Sequence, residues 1–222
     1  TSAIGVKTQP AALCRWEISP AQLALVCDLR SGREGVRLGD RELRIAEVVT
    51  ALVEGESPFG AVTDFCRRMC VDPRVPAAPV YGFNDWYYAY GRNTCETTLR
   101  DAQTLGELAP DGENRPFCVI DAGWQVGGVT AGGPWDRGNR VFGDMGRLAE
   151  EIRATGTRPG IWIRPLPTME RVPDGWTCGR VPEGALLDPS VPEALEQVHT
   201  DLRRLTAEWG YELVKHDFTT FD

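Results

Sequence analysis

With 222 residues, 42% of them apolar and 25% charged, the chain has the size and composition of a globular protein able to bury a sizeable core. Its formal net charge of −8 argues against nucleic acid and anionic membrane surfaces as partners. No window approaches the roughly 18 apolar residues of a membrane span. Seven cysteines form no CxxC pair and only two histidines are present, which argues against zinc and other His-based metal sites. The thiols read as scattered groups of a reducing, cytoplasmic compartment. No basic-then-apolar leader follows Thr1, so either a leader was removed or the chain is a fragment.

Residues 1–56 read as β. The runs "ALCRWEI" (12–18), "LALVCDL" (23–29) and "RIAEVVTALVE" (44–54) are separated by Ser-Pro, "SGREG" and "LGD" turns, as in the closing strands of an antiparallel β-domain. "SPFGAVTDFCRRM" (57–69) predicts a helix capped by Ser57, with Pro58 in its first turn and Phe59, Val62, Phe65, Cys66 and Met69 on one face. The proline-rich "VDPRVPAAP" (71–79) marks a domain boundary.

After Pro79 the pattern becomes strand, loop, helix, repeated. Strands are predicted at "VYGFNDWYY" (80–88), "PFCVIDAGW" (116–124), "RPGIWIRPL" (158–166) and "YELVKHDF" (211–218). Helices are predicted near 97–109, 144–154 and 191–209, the last opened by a Ser190/Glu193 capping box with Leu195, Val198, Leu202, Leu205 and Trp209 on its apolar stripe. Alternation of this kind implies an α/β fold with a parallel sheet. The long stretches 126–143 and 165–189 follow strand ends and read as binding loops. No Gly-rich phosphate cradle opens any of the helices.

Each strand turns polar at its last positions: Asn84-Asp85, Asp121, Arg164, then Lys215 and Asp217. Ligands of parallel α/β folds bind at these carboxyl ends. Lys215 and Asp217 share one face of their strand and His216 takes the other. A lysine beside a carboxylate favours its ionised form, which is what a glycosidase nucleophile needs, although a surface ion pair has the same sequence signature. Asp121, followed by a Gly turn, is suited to bind two adjacent sugar hydroxyls, or to cap its own loop. Trp86 and Trp124 are sugar platforms or core filler. Trp162 and Arg164 share a face, and Arg164 is costly to bury away from a polar site.

"YGFNDWYYAYG", "FCVIDAGWQ", "GIWIRPL" and "WGYELVKHDF", in this order, resemble the first four strand ends of the catalytic barrel in clan D glycoside hydrolases, the melibiase-like α-galactosidases of families 27 and 36. Family 36 fits better, since its enzymes place a β-sandwich before the barrel. The resemblance implies the first half of a TIM (β/α)₈ barrel at 80–222, a linking helix and proline-rich connection at 57–79, and the end of a sandwich domain at 1–56. It implies retaining hydrolysis of an α-linked sugar, with Asp217 as nucleophile and Lys215, Asp121, Asp85, Trp86, Trp124, Trp162 and Arg164 around the sugar. No metal or organic cofactor is implied. The family's Asp-Asp-Gly-Trp reads Asp121-Ala122-Gly123-Trp124 here, and its Glu-Pro reads Arg164-Pro165, which bears on galactose specificity more than on the barrel. A whole barrel takes about 250 residues, and its acid/base comes from a later strand, so the chain is expected to be a fragment of a protein that can form a homo-oligomer. Two other readings keep the same site: a raffinose-synthase-like glycosyl transferase, and a degenerate carbohydrate-binding homologue.

Overall fold

A computed structural model of the chain describes residues 2–30, 38–52, 57–182 and 184–218. They form two compact units, Thr1–Val75 and Pro76–Asp222, which meet inside the proline-rich stretch. The "SGREG" turn and the end of the 44–54 run lie outside the described residues. Among the described residues no helix is long and apolar enough to cross a membrane.

The first unit holds β1 (Ser2–Val6), β2 (Leu13–Ile18), β3 (Leu23–Asp28), β4 (Val48–Leu52) and helix α1 (Pro58–Met69). β1 pairs antiparallel with β4, and β2 with β3 as a hairpin. β1 has no clear alternation in the sequence, because Gly5 interrupts it. A Cβ at Gly5 would lie 2.5 Å from Met69 Sδ and 2.9 Å from the Phe65 ring, so the missing side chain is what lets α1 seat against the strand. Ser57 caps α1 as expected, its hydroxyl accepting from the Gly60 amide at 3.1 Å. The buried face differs from the expected one: it carries Ala61 and Phe65, while Phe59 and Val62 are 83% and 55% exposed. All seven cysteines are free, and Cys14 and Cys27 are directly opposed in the hairpin, with sulfurs 3.7 Å apart.

The second unit runs β5 (Gly82–Asn84), a single helical turn α2 (Trp86–Ala89), α3 (Cys95–Leu108), β6 (Phe117–Ile120), α4 (Met145–Ala154) and β7 (Arg158–Ile163). A small antiparallel sheet of β8 (Pro167–Thr168), β9 (Thr177–Val181) and β10 (Gly184–Leu187) follows, in the order β8-β10-β9. Helix α5 (Pro192–Arg203) and strand β11 (Leu213–His216) complete it. β5, β6, β7 and β11 form one parallel sheet whose order follows the chain without reversal. The fold is therefore mixed α/β built on a parallel sheet.

Three local expectations change. The first strand stops at Asn84, because the Asn84 side-chain oxygen accepts the Trp86 amide at 3.1 Å and turns the chain into α2. The stretch 165–189 carries the three-stranded sheet between its irregular segments, where only loop was expected. Helix α5 starts after Val191 with no side-chain cap, since the Ser190 hydroxyl donates to Asp188 at 2.6 Å instead. Its buried face is Ala194, Val198 and Asp201, with Leu195 51% exposed. A π-helical turn at Arg204–Glu208 then resets the register and brings Leu205 into the core.

The core lies between the parallel sheet and its helices. β6 is buried along its whole length, and Met145, Leu148 and Ile152 of α4 pack on the sheet. At the carboxyl end of the sheet the core turns aromatic: Trp135 packs tilted against Trp124 and edge-on against Trp162, with centroids 5.6 and 5.9 Å apart.

Candidate active site

Strand register decides which side chains meet. Asn84 is level with Val119, Ile120 with Ile161, and Lys215 with Trp162. Side chains alternate along a strand, so Asn84, Asp121, Trp162, Arg164, Lys215 and Asp217 fall on one face of the sheet at its carboxyl end. His216 points the other way and is exposed.

Asp121 is the centre of this face. Its Oδ2 accepts from Lys215 Nζ at 2.6 Å and from Asn84 Nδ2 at 2.7 Å, and its Oδ1 accepts from the Ala122 amide at 2.8 Å. Three donors, one of them cationic, hold a carboxylate that is only 2% exposed. Asp217 is more open, with 38% of its side chain exposed. Its Oδ2 accepts from Trp162 Nε1 at 2.9 Å and its Oδ1 from the Phe218 amide at 2.9 Å. Lys215 Nζ stands 4.0 Å from Asp217, so the lysine spans the two carboxylates while bonding to Asp121. Beyond them the Arg164 guanidinium lies 4.8 Å over the Phe218 ring.

These groups surround a cavity of about 260 Å³ whose walls also include Trp86, Ala122, Val129 and Thr130. Asp121, Lys215, Asp217, Trp86, Trp162 and Arg164 are thus brought together. Two residues expected at the lining are placed elsewhere. Trp124 is fully buried in the tryptophan cluster, donating from Nε1 to the Trp162 carbonyl at 2.9 Å. Asp85, 3% exposed, lies behind Asp121 and accepts the Asp121 amide at 2.9 Å and Asn93 Nδ2 at 2.9 Å. Burial pushes its carboxyl up to about 6, with the neighbouring Asp121 and Asp101 charges adding to the shift and its two hydrogen bonds opposing it. Asn93 and Phe218 were not singled out by the sequence, and Asn84 was noted at its strand end without a role. Asn84 carried the usable signal, sitting beside Asp85 at a strand end. Among the described residues no cluster of metal-ligating side chains is present.

No protein-family model and no curated protein matches the sequence. Solved structures do match. TtGalA, an α-galactosidase from Thermus thermophilus, in complex with p-nitrophenyl α-D-galactopyranoside is 25% identical over 80% of this chain and 40% of that one, with a TM-score of 0.56. The same enzyme in complex with stachyose is 22% identical over 97% of this chain and 44% of that one, with a TM-score of 0.60. A variant of the GH36 α-galactosidase AgaA from Geobacillus stearothermophilus in complex with raffinose is 21% identical over 64% of this chain and 21% of that one, with a TM-score of 0.52. The chain shares the fold of GH36 α-galactosidases over these regions, and it spans less than half the length of the TtGalA chains.

Proposed function

We infer that the cavity at the ends of β5, β6, β7 and β11 is the sugar-binding part of an α-galactosidase-like, retaining glycoside hydrolase acting on an α-linked galactose or a related sugar. One observation carries the reading: a single sheet face presents two carboxylates to one cavity, Asp121 fully engaged by Lys215 and Asn84, and Asp217 half open beside Trp162. The engaged carboxylate is suited to fixed hydroxyl recognition and the open one to attack. The strand order, which follows the chain, supports placing these units in the first half of a (β/α)₈ barrel.

In this reading an Asp217 oxygen bonds to the anomeric carbon as the glycosidic C–O bond breaks, and water later cleaves the glycosyl ester. The Trp162 and Phe218 N–H groups hold Asp217 for in-line approach. Asp121 and Lys215 take sugar hydroxyls, Trp86 and the edge of Trp162 offer the apolar wall, and Arg164 closes the far side. Trp124 and Asp85 act on the sugar only through Trp162 and Asp121. The leaving oxygen needs a proton donor about 5–5.5 Å from the nucleophile. Among the described residues at the cavity the only other carboxylate is Asp121, already held by three donors, and it is not assigned that role. In the full-length protein, Asp217→Asn should lose nearly all turnover of p-nitrophenyl α-galactoside with an unchanged melting temperature. Substantial retained turnover rejects the nucleophile assignment.

A further inference from the structure

The main chain of Asp121 is gripped on both sides by side chains from the segment after β5. Asp85 Oδ1 accepts the Asp121 N–H at 2.9 Å, and Asn93 Nδ2 donates to the Asp121 carbonyl at 3.1 Å. The same Asn93 Nδ2 donates to Asp85 Oδ2 at 2.9 Å, which closes the ring. Asp85 and Asn93 are 3% and 5% exposed, so water is kept from all three bonds. Neither residue lines the cavity.

The geometry points to Asp85 and Asn93 as positioning residues that clamp Asp121 for sugar binding, and to protonation of Asp85 as the event that opens the clamp. The inference rests on the sugar-binding reading of the cavity. Its mechanism follows from donors and acceptors. Both Asp85 oxygens are met by N–H groups, so an added proton on either one faces a donor. The Asn93 Oδ1 atom, in turn, is buried and has no hydrogen-bond partner. If the Asn93 amide reverses, Oδ1 accepts the new Asp85 O–H and the orphan is satisfied. The Nδ2 group then leaves the Asp121 carbonyl, and one side of the grip is lost.

The other titratable groups around Asp85 are Cys118 on β6, Asp121 just past its end, Asp101 on α3 and Tyr88 on α2. The carboxylates disfavour a further negative charge, and the Tyr88 hydroxyl is committed to Asp101. Burial places the Asp85 transition at about 6, within reach of ordinary buffers.

The test reads the clamp first and the sugar second. The Asp121 amide resonance should titrate with a midpoint near that of Asp85 in the wild-type chain and stay flat between pH 5 and 8 in Asp85→Asn. D-Galactose affinity should fall up to roughly tenfold across the same transition, the worth of one buried hydrogen bond, and lose its pH dependence in Asp85→Asn. Asn93→Ala keeps Asp85 ionisable and should bind galactose at pH 7.5 about as weakly as the wild type does at pH 5. A flat Asp121 amide in the wild type, or the same titration in Asp85→Asn, overturns the clamp. A titrating amide in a chain that binds no galactose at any pH supports the clamp and instead removes the sugar-binding reading.

Discussion

Lys215 donates to Asp121 at 2.6 Å across 94 positions of sequence, while Asp217, on the same strand as the lysine, stands 4.0 Å away. The sequence placed the lysine beside its near neighbour; the sheet register gives it to Asp121. Lys215→Met should therefore register mainly at Asp121, a 2% exposed carboxylate left with Asn84 and one backbone amide. A fully buried pair broken this way costs about 3–5 kcal/mol; since the Lys215 side chain is 35% exposed, a loss of about 2 kcal/mol in urea unfolding is expected. An unchanged urea midpoint would contradict the pairing.

Asp85 sets a pH dependence of stability with a definite sign. Its folded value is raised from 3.8 to about 6, so between these values the folded chain keeps a proton that the unfolded chain has released. The stabilising contribution is complete below about pH 4 and is lost as pH rises through about 6, amounting to up to ~3 kcal/mol. Asp85→Asn should remove this component, measured as the difference between wild-type and variant unfolding free energies from pH 4 to 8. A difference that is constant over that range would refute it. The ionised residue thus destabilises the fold while it grips Asp121, a trade of stability for a positioned site.

Gly123 shows the same site from its backbone. Its φ is +124°, and a Cβ there would lie 2.2 Å from Asn93 Oδ1 and 2.9 Å from the Gly91 carbonyl. Gly123→Ala should cost about 3 kcal/mol through strain and displacement of Asn93. It should also weaken galactose binding although the added methyl group would touch no sugar. A variant with unchanged stability would mean that the Asp121–Gly123 turn is looser than its contacts indicate.

How much of this was legible before the structure depended on the kind of signal. The β6, α4, β7 and β11 segments announce themselves, because continuous apolar runs and capped apolar stripes have few other uses. Period-two alternation gave the Lys215/Asp217 and Trp162/Arg164 pairs, and strand ends marked Asp121, but only the sheet register puts all five on one face. Asn93 could not be found this way: it sits in an irregular loop, and its role exists only because β5 and β6 are neighbours. Trp124 was misplaced for a related reason. Tryptophan beside a polar strand end serves core or cavity equally well, and the tryptophan cluster that claims it is assembled from segments far apart in the chain. Gly5 hid β1, and α5 turns Ala194 and Asp201 inward beside Val198, where the stripe had Leu195.

The hairpin makes a prediction independent of the sugar site. Cys14 and Cys27 are directly opposed with sulfurs 3.7 Å apart, so exchange with oxidised glutathione should join them, two thiols losing their hydrogens as one glutathione disulfide becomes two thiols. Burial and the adjacent Cys27 raise the Cys14 thiol, so the exchange should be faster at alkaline pH. Peptide mass mapping should find the 14–27 link while Cys66, Cys70, Cys95, Cys118 and Cys178 stay reduced. Linkage among those five instead would count against the register of the hairpin.

We propose that Asp217 attacks the anomeric carbon of a sugar held by Asp121 and Lys215. A 2-deoxy-2-fluoro-α-galactosyl fluoride tests it most directly, because fluoride leaves without a proton donor and the fluorine at C2 slows release of the ester. After incubation and digestion, mass spectrometry should find one fluorogalactosyl group, on the peptide containing Asp217 and on that residue. The adduct should be absent from Asp217→Asn and much reduced in Lys215→Met. An unmodified Asp217, or an ester on a different carboxylate, contradicts the account.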